Sequence, residues 1–251
     1  MAKTSKKSLG VGIALAVSFL VVLLLIFSPI FGEGKNGLVF ADDLFNKLSK
    51  GSSYFIPKVA KENEKFMGKM FAVSLKMSKS EDKPGDGEKR AERAAKLFTV
   101  NPGAKAEVMG SELKIEGDLG LVLKAALEDS DVMFKNEGDK IKTKYEAAMA
   151  TDDVKQMFRQ WYNVLPQISK EFAKDKKIEE SKIVSAVSKK AVETAYNYYG
   201  VEAQKVSEKA LLMTGLLVFY VIYTMWWGFA IFYIFDGIGL TMSKSKVKKE
   251  V

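Results

Sequence analysis

Residues 211–235 read LLMTGLLVFYVIYTMWWGFAIFYIF, 25 residues without a charge between Lys209 and Asp236. A helix of about 20 apolar residues is long enough to cross the hydrocarbon core of a bilayer. A second such run, Leu9 to Phe31, holds 23 uncharged residues after Lys6 and Lys7. The two runs predict a membrane protein whose transmembrane helices, 9–31 and 211–235, flank everything between them.

The flanking lysines orient the pair. Lys3, Lys6 and Lys7 precede the first run, and Lys244, Lys246, Lys248 and Lys249 follow the second against Glu250 alone. Short basic segments stay on the cytoplasmic side. Two crossings return the chain to that side, so tails 1–8 and 236–251 are expected inside. Residues 32–210 are expected outside, in the periplasmic space beyond a bacterial inner membrane. A rival reading makes the first run a signal peptide cleaved after Val39-Phe40-Ala41. Against it, the run exceeds a usual signal core, and nine residues including Glu33 and Lys35 separate it from Ala41.

Charge supports this division. The chain has 39 Lys and Arg against 31 Asp and Glu, a net +8. Seven of the bases lie in the two tails, leaving 32 against 29 acids in residues 32–210. The excess is a topology signal, so no nucleic-acid partner is expected.

The segment between the runs reads as an α+β, mostly helical domain. A Gly-rich joint, 32–37, leads to a linker with short helices through residue 70. One of these is expected at Ala41–Ser49, and another starts at Pro57, whose fixed φ suits a first turn. Val59, Phe66 and Met70 are expected on one apolar stripe. Phe71, Val73, Leu75 and Met77 then alternate with Ala72, Ser74 and Lys76, the period of a half-buried strand. A loop at 78–87, a helix at 88–98, two short strands at 104–109 and 112–116, and a helix capped by Asp118 complete a small β-α-β-β-α module, 71–134. Gly117 is expected to end its last strand.

Residues 135–210 are expected to be a helical stalk. Thr151 is expected to cap a helix whose face carries Met157, Phe158, Trp161, Leu165, Ile168 and Phe172. Pro166 should bend or break it. Gly200 is a joint, and Val201–Lys209 should run stiffly into the second membrane helix.

Residue types limit the chemistry. With no Cys and no His, disulfides, thiolate or imidazole catalysis and Cys/His zinc sites are excluded. The acidic clusters around Glu81, Asp82, Asp86 and Glu88, and at Glu128-Asp129-Ser130-Asp131, lack the spacing of a calcium loop. Gly117 and Gly120 do not form a phosphate loop. Trp161, Tyr162 and Tyr196–Tyr199, at helical spacing, are expected to pack a core. No cofactor is called for, and a catalytic role is not expected.

The interface candidates lie in the membrane runs. Nine of the 25 residues in 211–235 are aromatic. Tyr233 suits the headgroup level, but Tyr223, Trp226 and Trp227 fall near mid-span, with Tyr220 along the same side. An unpaired hydroxyl or indole N–H costs several kcal/mol in hydrocarbon. Gly10, Ala14 and Ser18 form a small-residue stripe on the first run that admits a close helix. One partner helix covers one face only, so the second helix is expected to dock on other membrane subunits or on copies of itself.

These features predict a non-catalytic accessory or scaffold subunit of an inner-membrane assembly. The arrangement also resembles, in topology alone, the regulators of polysaccharide chain length, which place two terminal membrane helices around a large outer domain. That resemblance implies a homo-oligomer. The Pro-rich segment of that family near its second span is missing, since no Pro follows Pro166. An outer-domain sensor would have to signal through a partner, because only 236–251 remains inside.

Overall fold

The computed structural model describes residues 5–240. The lysines at 3, 244, 246, 248 and 249 lie outside the described residues. The chain is mostly helical with one three-stranded sheet, and it forms two compact units. One comprises residues 1–48 and 204–251, the other residues 49–203.

The first unit is built on two apolar helices, α1 (Lys6–Phe27) and, at its far end in sequence, α10 (Ala210–Gly237). Ser5 caps α1, its hydroxyl accepting from Ser8 N. Each is long and apolar enough to cross a bilayer. Gly32, Glu33 and Gly34 in the joint take positive φ, and Lys35 is held there by Glu33 and Asp43. The helix expected at Ala41–Ser49 is longer: α2 spans Gly37–Ser52. Asn36 accepts from Val39 N and so starts it four residues earlier.

In the second unit, α3 (Ile56–Asn63) starts with Pro57 in its first turn. Strands β1 (Met70–Lys76), β2 (Ala104–Met109) and β3 (Glu112–Asp118) form an antiparallel sheet in the order β1-β3-β2. Register puts Val73 opposite Ile115 and Leu75 opposite Leu113. One face is therefore apolar, and α4 (Asp86–Val100) and α5 (Leu119–Phe134) follow β1 and β3 in the expected β-α-β-β-α order. Asp118 caps α5 by accepting from Leu121 N at 3.1 Å.

Two expectations fail here for local reasons. Met70 leaves the apolar stripe, because it opens β1 on the outward face and is 74% exposed. Gly117 does not end β3. It pairs with both Phe71 and Ala104, and a Cβ there would sit 2.2 Å from the Gly103 carbonyl oxygen. Glycine lets three backbones meet at that point.

The remaining helices are α6 (Gly138–Tyr145), α7 (Val154–Lys174), α8 (Ile178–Val187) and α9 (Thr194–Tyr198), with a π turn at Ser188–Glu193 between the last two. Asp153, rather than Thr151, caps α7, its carboxylate accepting from Lys155 N and Gln156 N. Thr151 instead accepts from Asp153 N. Pro166 does not break α7. Val164, Leu165 and Ile168 around it are fully buried, and that packing outweighs the one backbone hydrogen bond a proline removes. Gly200 has φ +86° and ends the helix. Val201–Lys205 is not helical, so no continuous stalk enters α10. A single apolar core joins the sheet, α4, α5, α7 and α8.

Candidate functional site

The helices α1 and α10 pack antiparallel. A Cβ on Gly12 would lie 2.6 Å from Ile234 N, and one on Gly237 would lie 2.6 Å from Leu9 Cα. The backbones meet at these two glycines, the close approach that residues without a side chain allow. Farther along, Phe19 stacks on Tyr223 with ring centroids 4.1 Å apart and meets Trp227 in a tilted contact at 4.7 Å. Trp226 Nε1 donates to Leu15 O at 3.1 Å.

The contact face of α1 is therefore Leu9, Gly12, Leu15 and Phe19, spaced three, three and four apart. Gly10 and Ala14 of the small-residue stripe are exposed, and nothing lies within 4 Å of a Cβ on Gly10. Ser18 donates to Leu15 O of its own helix and does not serve Trp226.

On α10, Trp226 and Tyr223 face α1, and Tyr233 is half-buried. The Tyr223 hydroxyl is buried without a hydrogen-bond partner among the described residues. Tyr220 is 66% exposed and Trp227 40% exposed, with Phe229 and Phe232 also uncovered. No hydrogen bond from the Tyr220 hydroxyl or the Trp227 indole occurs among the described residues. Thr214 and Thr224 on the same helix return their hydroxyls to Ala210 O and Tyr220 O. Asp236 lies in the last turn of α10, one residue before its end at Gly237, and its carbonyl accepts from Gly239 N.

Two buried polar clusters hold the 49–203 unit. The first centres on Asp129, which is 2% exposed. Its carboxylate accepts from Tyr145 Oη, from Trp161 Nε1 at 2.7 Å and from Lys144 Nζ at 2.6 Å. Asn101 Nδ2 donates to Tyr145 Oη and to Leu97 O at 2.9 Å. Burial, reinforced by the Asp129 charge, raises the Tyr145 phenol well above its usual range. Lys144 is the only member that reaches solvent, with a side chain 31% exposed.

The second cluster centres on Lys50, also 2% exposed. Its Nζ donates to Val201 O at 2.6 Å, to Asn136 Oδ1 at 2.9 Å and to Tyr198 O at 3.0 Å, and lies 5.0 Å from the Phe134 ring centroid. Asn136 in turn accepts from Gly200 N and donates to Val201 O. Both places where the chain leaves this unit, residues 49–50 and 198–203, are thus tied at one ammonium. All its hydrogen-bond acceptors are neutral, and burial lowers the Lys50 pKa.

That shift has a sign. A base whose folded pKa lies below its unfolded value destabilises the folded state while it must stay charged. Stability then rises with pH from the folded pKa up to the unfolded value of about 10.5. Replacing Lys50 with methionine should cost about 1–3 kcal/mol by leaving the carbonyls unpaired. Its deficit against the native chain should widen as pH approaches 10.5. Urea unfolding between pH 7 and 10 measures both; a deficit independent of pH would contradict the assignment.

Trp161 is fully buried and Tyr196 and Tyr199 pack against the core, whereas Tyr162, expected in the core, is 37% exposed and meets Tyr196 at 5.4 Å between ring centroids. Among the described residues no three of His, Cys, Asp and Glu converge on a metal-sized site. Asp82, from the first acidic cluster, pairs with Arg90. No protein-family model, curated protein or solved structure matches this chain.

Proposed function

We propose that the chain crosses a bacterial inner membrane twice, through α1 and α10, with 32–210 outside and both tails in the cytoplasm. It acts there as a non-catalytic accessory or scaffold subunit of a larger assembly, docking through the flank of α10 on which Tyr220 and Trp227 stay exposed beside α1. The reading rests on one observation: Tyr220 and Trp227 are exposed, and their polar groups have no partner among the described residues. Both lie within four residues of Tyr223, the middle of the 25-residue run. At 1.5 Å per residue they sit within about 6 Å of mid-span. An unpaired hydroxyl or indole N–H there costs several kcal/mol against lipid and little against a partner offering an acceptor. Trp226 has already found such an acceptor in the Leu15 carbonyl.

The lipid bilayer and other membrane subunits are then the partners, and no cofactor is required. Substituting Tyr220 and Trp227 together by leucine keeps the face apolar and removes its polar atoms, together with the Trp227 ring contact to Phe19 of α1. Blue-native electrophoresis in mild detergent should show the native complex lost while the chain still inserts. A double variant that migrates with the native complex would contradict docking through this face.

A further inference from the structure

A cleft of about 450 Å³ opens between α3, the single 3₁₀ turn at Glu64–Phe66 and α5, wholly within the 49–203 unit and apart from the docking face on α10. Volumes of this order suit small organic ligands. Ile56, Ala60 and Leu127 give it an apolar wall. Asn63, which also lines it, is 3% exposed. Its Nδ2 donates to Gly120 O at 2.8 Å, which fixes the amide orientation, and its Oδ1 has no partner among the described residues. A buried acceptor left in this state costs about 1–3 kcal/mol unless a donor arrives.

The charge of the lining says which kind of donor fits. Glu64, Glu128 and Asp131 stand against Lys124 alone. Asp131 is already satisfied by Tyr54 Oη and Lys135 Nζ, both at 2.5 Å. Glu128 has its nearest cation, Lys124, at 3.9 Å, and Glu64 makes no ion pair among the described residues. Two carboxylates and one orphaned amide oxygen therefore remain beside an apolar wall, on a chain whose total charge is +8.

We propose that this cleft binds a small apolar molecule bearing a primary ammonium group. Its hydrocarbon part packs on Ile56, Ala60 and Leu127, and its ammonium sits within reach of the Glu64 and Glu128 charges and, as the side chains closing over Asn63 move aside, donates to the buried Asn63 Oδ1. A neutral alcohol supplies a donor without the charge. A carboxylate supplies neither and meets like charge.

The test is titration of the full chain, in nanodiscs of zwitterionic phosphatidylcholine, with hexylamine, hexanol and hexanoate. Backbone amide shifts of residues 57–64 and 124–131 give the readout. Hexylamine should produce saturable shifts there, with hexanol and hexanoate at least tenfold weaker. Glu64→Gln with Glu128→Gln, both at exposed positions, should keep the native spectrum and weaken hexylamine at least tenfold. Equal binding of hexylamine and hexanol would overturn the proposal. So would no saturable shift with any probe, or shifts with a lysine-containing peptide but none with hexylamine.

Discussion

Asp129→Ala is expected to destabilise the 49–203 unit by about 3–5 kcal/mol, the range for breaking a buried charged cluster by removing one partner. Three donors lose their common acceptor: Tyr145 Oη, Trp161 Nε1 and Lys144 Nζ. The first two are buried with full-sized rings around them, so water cannot reach them without opening the core. Against a total stability of about 5–15 kcal/mol for a domain of ordinary size, that loss leaves a unit close to its threshold. Asp129→Asn keeps one accepting oxygen and the shape, and should cost less, about 1–3 kcal/mol. Urea unfolding of the full chain in nanodiscs measures both. Trp161 is the only tryptophan of this unit, so its near-ultraviolet dichroism follows the cluster itself. An alanine variant within 1 kcal/mol of the native chain would show that the three donors find other acceptors. The same cluster carries an alkaline signature. Because burial raises the Tyr145 phenol, the folded chain holds that proton while the unfolded chain loses it. The stability contributed by Tyr145 is complete below the unfolded value of about 10 and falls as pH rises past it.

Gly12→Leu should separate α1 from α10, where Gly10→Leu should not. A Cβ on Gly12 meets Ile234 N at 2.6 Å and Tyr233 C at 2.9 Å. These are backbone atoms, so the helices themselves must move, at a cost of about 1–3 kcal/mol typical of forced overpacking. The movement also pulls Trp226 from Leu15 O and Phe19 from Tyr223 and Trp227. Gly10, two residues away, faces open space. The chain lacks cysteine, so spin labels can be placed at will, for example at the exposed Val17 and Phe229. Pulsed electron–electron distances in nanodiscs should be narrow for the native chain and for Gly10→Leu, and broad for Gly12→Leu. A broad distribution with Gly10→Leu and a narrow one with Gly12→Leu would mean that the pair packs on the other face.

These two cases mark what a linear reading of this chain can reach. Both apolar helices stand out because uncharged runs of 23 and 25 residues are long enough to span a bilayer. The strand at 70–76 is legible because Phe71, Val73 and Leu75 alternate with polar neighbours, and Asp118 announces α5 by its place before an apolar stripe. The contacting face of α1 was not legible. Gly10, Ala14 and Ser18 make the more regular small-residue stripe, but only the partner helix decides which stripe is used, and one glycine against a backbone outweighs three small residues facing outward. Asp129 lay within an acidic run that suggests a solvated face. A signal was present: Asp129 falls four residues after Ala125 and four before Met133, both buried, so it occupies the apolar side of its own helix. A carboxylate at such a position requires buried donors. Lys50 offered no such pattern, since its acceptors are main-chain carbonyls and an amide up to 151 residues away in sequence.

The docking face on α10 is the central claim, and affinity capture tests it most directly. The tagged chain, expressed from its own chromosomal locus, would be purified in mild detergent and examined by native mass and by mass spectrometry of what comes with it. The account predicts other membrane subunits in fixed stoichiometry, lost when Tyr220 and Trp227 are replaced by leucine. A bare monomer would contradict it, and a closed ring of copies of this chain alone would replace the scaffold role with that of a homo-oligomeric regulator.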